Sequence, residues 1–261
     1  MNISFEGKTV IVTGATSGIG KEIAGQFAQN GASVVVNGID RAAGDQVVEQ
    51  IQNDGGTAVY VEADVSCAQA VREMADTVIE TFGKIDFLVN NAGINVEMKD
   101  RGPIHEFPDH MWEKILRVDL DGVYYCSKAV LPNMIENHFG RIVNISSVTG
   151  LVPLRNQCAF TAAKAGVIHL TKAMAIELAE FGVNVNVVCP GSIQIPIMIE
   201  GGMYTDGRYE AIMSHIPMHR PGTPREIASM VQFLCSDQAN YITGGVHAVD
   251  GGWMCGFARD W

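Results

Sequence analysis

The sequence predicts an α/β fold, a single domain built on a doubly wound parallel sheet. Short runs rich in β-branched residues alternate with longer segments of helical period along the whole chain. A glycine-rich turn, Thr13 to Gly20 (TGATSGIG), joins the first such run to the first helix. With 261 residues, 47% hydrophobic content and 28 glycines, the chain has the material for one buried sheet with many tight turns.

Lys8 to Thr13 (KTVIVT) is the first strand, and KEIAGQFAQN continues the helix after the turn. Gly14, Gly18 and Gly20 allow a tight turn, close approach of a diphosphate and close helix–sheet packing. The helix start at Gly18, flanked by Ser17 and Ile19, offers unpaired N–H groups and a positive dipole end to phosphate. Ala32 to Asn37 is the second strand, Thr57 to Ala63 the third and Ile85 to Val89 the fourth. Asp64 is placed either to meet a ligand or to cap the helix from Ser66 onward. A polar loop with two prolines follows, then Trp112 to Ile135 with helical period throughout. Gly140 to Ser147 is the fifth strand. A helix from about Gln157 carries a small-residue face of Ala162, Ala163, Ala165 and Gly166. That face suits packing against another subunit or within the monomer. Val183 to Cys189 is the sixth strand. Residues 191–222, rich in Gly, Met and Pro, are the expected substrate lid. Pro224 to Cys235 reads as an amphipathic helix and GGVHAVDGG as the last strand and turn. The aromatic tail WMCGFARDW is expected at a subunit contact. No repeat, linker or low-complexity segment interrupts residues 1–261.

The formal charge of −11 disfavours nucleic acid and anionic membranes as partners. The Met-Asn-Ile-Ser-Phe start has no basic region or long apolar run, so no signal peptide is expected, and no stretch has the length of a membrane span. Six scattered cysteines read as reduced and mostly buried, which points to the cytoplasm. His215 and His219 are separated by Pro217, so no metal site is expected.

The chemistry is concentrated between Ser147 and Lys164. Phe160 and Lys164 are i and i+4 and share one helix face, while Ser147 ends a strand and reaches the same point. A tyrosine at 160 would complete the set: a phenol as acid or base, an ammonium lowering its pKa, and a hydroxyl holding a carbonyl oxygen. Phenylalanine has no proton to give.

Ser147 followed by the 160/164 spacing, the T-G-x-x-x-G-I-G turn and Asn90-Asn91-Ala92-Gly93 together resemble the short-chain dehydrogenase/reductase family, whose signature is Ser, then Tyr-x-x-x-Lys. The resemblance covers nearly the whole chain. It implies a Rossmann fold, a nicotinamide cofactor and reversible hydride transfer with a secondary alcohol or ketone. Two readings of Phe160 stay open: an engineered Tyr→Phe knock-out, or a natural member without its acid/base. A non-catalytic nucleotide-binding or scaffolding protein is the alternative of another class.

The resemblance also implies roles. Ser147 holds the carbonyl oxygen, and Lys164 binds ribose and tunes residue 160. Asp119 stands where the family has an asparagine of an N-x-x-G pattern that holds a relay water. Asp64 and Val65 flank the adenine, while Asn91, Ala92 and Gly93 admit the ribose. Pro190, Gly191 and Ile193 hold the carboxamide, and Ile195 replaces the usual threonine. At the second strand's end Gly38 occupies the usual aspartate position, and Asp40 and Arg41 are the nearest charges. The Asn-Gly turn favours NAD over NADP. Substrate candidates are Asn95, Ser147, Thr149, Arg155, Asn156, Gln157 and Gln194. Thr149 and Gln157 replace the histidine and lysine of the similar hydroxybutyrate dehydrogenases, with Arg155 as the candidate substitute. The neutral polar set favours a sugar or polyol. A 3-oxoacyl carrier-protein reductase is the runner-up, disfavoured by the acidic charge. A homotetramer is the implied assembly.

Overall fold

The computed structural model describes residues 3–97, 100–195, 199 and 207–256. Seven strands form one sheet: β1 (Thr9–Val12), β2 (Ser33–Gly38), β3 (Thr57–Glu62), β4 (Phe87–Asn90), β5 (Gly140–Ile145), β6 (Val183–Pro190) and β7 (Val246–Val249). The order is β3-β2-β1-β4-β5-β6-β7, and all pairs are parallel. This is the doubly wound fold the alternating pattern predicts.

Parallel strands buried on both faces must be apolar on both sides of the pleat. β1 shows how the sequence meets this. Val10 and Val12 enter one core with Val34, Val36, Phe87 and Val89. Ile11 enters the other with Val35 and Leu88. Helices α1 (Gly18–Gln29) and α2 (Arg41–Asn53) cover the first face. Helices α3 (Ala68–Phe82), α5 (Gly122–Glu136) and α6 (Cys158–Leu178) cover the second, with α4 (Asp109–Leu116) against α6. The short α7 (Arg208–Met213) precedes α8 (Pro224–Cys235), which packs on α1.

An aromatic cluster ties the C-terminal end of α1 to the start of β4. Phe27 of α1 lies 4.8 Å from Phe5 and 5.8 Å from Phe87 of β4, centroid to centroid. Truncating such a buried ring costs about 3–5 kcal/mol.

Two predicted elements differ. The segment from Trp112 to Ile135 is not one helix: α4 and α5 are joined by a π-helical turn over Arg117–Asp121. An inserted wide turn leaves the apolar spacing almost helical, so the pattern does not reveal it. Asp64 does not cap α3. Its Oδ1 accepts from Ser66 N at 2.9 Å, and Cys67 is the N-cap. Of the six unpaired cysteines, Cys126, Cys189 and Cys235 are buried, whereas Cys67 and Cys255 are exposed. The expected lid falls partly on 196–198 and 200–206, and the end of the aromatic tail on 257–261; both lie outside the described residues.

Candidate active site

The strand order reverses between β1 and β4, and sheets of this kind take ligands at the carboxyl ends of the strands beside that point. Thr13 and Asn91 build this crevice. Thr13 Oγ1 accepts from the N–H groups of Asn91 and Ala92, each at 3.0 Å. Asn91 Nδ2 donates back to the carbonyls of Thr13 and Gly14, at 2.9 and 3.1 Å. Asn91 therefore clamps the glycine turn with its side chain. Gly14 has φ +61°, and a Cβ there would lie 2.8 Å from Ala92 Cα, so only glycine fits. Ser17 makes no side-chain cap bond, and no acid stands in the first turn of α1. The first N–H groups of α1 can therefore receive an external anion. Ile19 packs on the core and Gly20 is buried.

At the end of β2, a Cβ on Gly38 would lie 2.5 Å from Thr16 Cγ2, so a side chain there would require Thr16 to shift. Asp40 caps α2, its Oδ1 accepting from Ala43 N at 3.1 Å. Arg41 pairs with Glu62 at 3.1 Å. Both predicted charges have local structural partners. The Val65 side chain is buried, packs on Gly122 and lines a small cavity with Thr13, Asn90 and Ala92.

The chemical set assembles where β5 meets α6. Ser147 caps a short 3₁₀ turn, Val148–Gly150, and its Oγ accepts from Thr149 N at 3.1 Å. Its own O–H proton stays available to a ligand oxygen. Lys164 is buried; its Nζ donates to Ile145 O at 3.2 Å and lies 5.5 Å from the centroid of the Phe160 ring. Nζ is also 3.1 Å from Oδ2 of Asp119. Asp119 sits in the π-turn, fully buried, and its Oδ1 accepts from Ile94 N at 2.7 Å. Burial pushes its carboxyl above the ordinary value, while Lys164 and the Ile94 N–H pull it down. A Cβ on Gly93 would lie 2.9 Å from Asp119 Oδ2 and 3.1 Å from Lys164 Nζ, so the backbone closes over this ion pair.

Asn90, part of the Asn90–Gly93 motif, is joined by polar residues that were not among the predicted ones, Ser127, Asn144, Ser146 and Thr171. Asn90 Nδ2 donates to Asn144 Oδ1 (2.8 Å) and Ser127 Oγ (3.1 Å), and Asn144 Nδ2 to Thr171 Oγ1 (2.8 Å). Ser146 Oγ donates to Lys164 O at 2.7 Å and fixes the helix turn that carries Lys164. The available signal was a buried amide inside a β-branched run, Asn144 in RIVNIS, which needs partners.

The substrate candidates separate. Asn95 Nδ2 donates to Gln157 Oε1 at 2.7 Å. Thr149 is 3% exposed, and its N–H donates to Ser147 Oγ. Arg155, Asn156 and Gln157 line one cleft together, with Asn156 in the left-handed region at φ +65°. Gln194 is exposed, and its N–H donates to Gly222 O at 2.8 Å. Pro190 ends β6, Gly191 N donates to Val249 O at 3.0 Å, and Ile193 is buried in a parallel bridge to Gly222. Ile195 packs near Gly18. Among the described residues no group of three His, Cys, Asp or Glu side chains could hold a metal ion, and no helix is long and apolar enough to cross a membrane.

A family model described as enoyl-(acyl carrier protein) reductase matches residues 14–254. The chain is 37% identical over 254 residues to 3β-hydroxysteroid dehydrogenase 2 of Eggerthella lenta, covering 97% of this chain and 96% of that one. It is 37% identical over 253 residues to the 3-oxoacyl-[acyl-carrier-protein] reductase FabG of Thermotoga maritima, covering 95% and 98%. The solved structure of gox2181 is similar with a TM-score of 0.93 at 33% identity, covering 97% of this chain and 98% of that one. The likeness spans sequence, strand order and crevice together: the chain belongs to the short-chain dehydrogenase/reductase family, oxidoreductases that use NAD or NADP.

Proposed function

We propose that this chain binds a nicotinamide dinucleotide and a secondary alcohol or ketone, with the proton step blocked at residue 160. The observation that carries this is the Phe160 ring, 5.5 Å from Lys164 Nζ, where a group with a mobile proton is needed. The crevice residues fit the cofactor: the Gly14 cradle excludes a Cβ, and the first turn of α1 is uncapped and free of acids. When bound, the dinucleotide supplies or accepts the hydride. Ser147 donates to the substrate oxygen and orients it. Lys164 adds a further donor at the same site, and Asp119 neutralises it. Phe160 keeps the ring packing and moves no proton.

NAD is the preferred cofactor in this reading, because Arg41, the candidate for a 2′-phosphate, is engaged by Glu62. The substrate is a sugar or polyol, supported by the neutral amides of Asn95 and Gln194 in place of a basic clamp. A second reading, a 3-oxoacyl carrier-protein reductase, draws on the Thermotoga maritima likeness but is disfavoured by the formal charge of −11, since an acidic carrier calls for a basic patch. The proposed assembly is a homotetramer in the cytoplasm. Tyr124 on α5 and Ile176 on α6, 45% and 83% exposed, are large side chains on outer helix faces that a partner would cover.

Fluorescence titration with NADH and NADPH tests the binding half of the reading. Saturable binding, tighter for NADH, is expected. Saturation by neither would sink it and leave a scaffolding role.

A further inference from the structure

Lys164 and Asp119 touch directly. Nζ and Oδ2 are 3.1 Å apart, a hydrogen-bond distance that leaves no room for a water between them. Both side chains are buried, and a Cβ on Gly93 would meet both. Nζ also donates to the Ile145 carbonyl at 3.2 Å, a neutral acceptor that leaves the ammonium charge in place. Asp119 Oδ1 is held by the Ile94 N–H at 2.7 Å, so the carboxylate cannot swing away without losing that bond.

Two titratable groups face Lys164 among the described residues, Asp119 from the π-turn and Cys189 from β6. Burial pushes the Cys189 thiol up to about 11, so it carries no charge near neutral pH. Phe160 packs on the apolar cluster of Val96, Ile115, Ala159 and Ala163, which brings none either. The field at position 160 is therefore set by the Lys164–Asp119 pair. A lone ammonium 5.5 Å from the ring centroid would favour the ionised form of a hydroxyl on that ring. An ammonium bound to a carboxylate has little net charge to act with. A phenol titrates far above the ordinary carboxylate value. Over that range the Lys164 charge and the Ile94 N–H, which both pull the Asp119 carboxyl down, hold it ionised.

We propose that Asp119 is a positioning residue for the proton step: by holding Lys164 in a neutral pair, it keeps a hydroxyl at position 160 protonated and suits the site to ketone reduction over alcohol oxidation. The direction rests on the hydride-transfer reading above, whereas the protonation does not. In reduction, a hydride from the dinucleotide joins the carbonyl carbon, and the hydroxyl proton joins the carbonyl oxygen. In oxidation the hydride returns to the dinucleotide, and the ionised hydroxyl takes the alcohol proton. A hydroxyl that stays protonated is ready for the first direction and must lose its proton before the second.

The phenol introduced by Phe160→Tyr is the reporter, titrated in the full chain without ligand by carbon NMR of ring-labelled tyrosine. The present chain supplies the background of its six tyrosines. In Phe160→Tyr the phenol should titrate at or above the ordinary value of about 10. Adding Asp119→Asn, which keeps an oxygen for the Ile94 N–H, should lower the midpoint by about one pH unit or more. Adding Asp119→Ser instead should lower it likewise and serves if the first pair of changes does not fold. Adding Asp109→Asn, at an exposed acid in the first turn of α4, should leave the midpoint where it was. In turnover, kcat for alcohol oxidation by Phe160→Tyr should rise with pH through that midpoint, and Asp119→Asn should move the rise to lower pH by the same step. A midpoint that stays or moves up when the Asp119 carboxylate is removed, or that shifts equally with Asp109→Asn, overturns the proposal. A lowered midpoint without turnover in any variant supports the role of Asp119 in protonation and sinks the hydride-transfer reading, with the direction drawn from it.

Discussion

The Nζ of Lys164 lies 3.1 Å from Oδ2 of Asp119, with side-chain exposures of 5% and 0%. Each charge is removed from water, so each depends on the other. The π-turn delivers the carboxylate, and the Ile94 N–H holds its second oxygen at 2.7 Å. In a site without a phenol at 160, Lys164 has the Phe160 ring on one side and a carboxylate on the other.

Removing one partner should be expensive. Asp119→Ala leaves a buried ammonium without its counter-charge and is expected to lower stability by about 3–5 kcal/mol, read from urea unfolding. Asp119→Asn keeps an oxygen for Ile94 N–H and should lose clearly less. Equal losses in the two variants would mean that the missing charge accounts for the whole loss and that the Ile94 hydrogen bond contributes nothing.

The same pair sets a pH dependence. Burial raises the Asp119 carboxyl in the folded state. A raised folded value means that this group's stabilising contribution is fullest below its unfolded value and is lost as pH rises through the folded one. The stability of the chain relative to Asp119→Asn should therefore fall as pH rises from about 4 towards neutrality. A difference that grows with pH would show that Lys164 and Ile94, rather than burial, dominate the carboxyl.

A second carboxylate has the opposite sign. Glu226 closes the capping box of α8 with Thr223 and also pairs with Arg220 at 2.6 Å; the Arg220 hydrogen bonds chiefly hold its carboxyl down at about 2. Its contribution is present above the ordinary carboxylate value and is lost as pH falls towards about 2. The group is largely solvent-exposed, so the effect is modest. Glu226→Ala should lower the melting temperature by about 2–4 °C at pH 7 and by less at pH 3. An equal drop at both values would contradict this.

Much of this molecule was legible from residue pattern. The β-branched runs placed all seven strands to within a residue or two, since a strand buried on both faces has few alternatives. Pro224 opening an amphipathic run after Thr223 gave α8 at both ends. The i, i+4 spacing of Phe160 and Lys164 was legible because a helix face is a local feature, and Lys164 Nζ lies 5.5 Å from the Phe160 ring centroid. What depended on long-range contact was not legible. The π-turn at Arg117–Asp121 hides inside a helical period. The ion pair of Asp119 with Lys164 joins residues 45 positions apart through two elements, so no local pattern predicts a direct contact instead of a water-mediated one. That Arg155, Asn156 and Gln157 line one cleft with Gly102 to Ile104 also depends on contact between distant segments.

The central claim is that the site is intact for binding and lacks one proton donor. Phe160→Tyr tests it most directly. Turnover of the variant and of the present chain should be compared with NAD and NADP across sugars, polyols, hydroxy acids and simple secondary alcohols. General acid–base catalysis is worth about 10²–10⁴ in rate, or roughly 3–5 kcal/mol in the transition state. The account predicts a rise in kcat of that order with little change in the dissociation constants of cofactor and substrate. A tyrosine variant as inactive as the present chain on every substrate with both cofactors would contradict it.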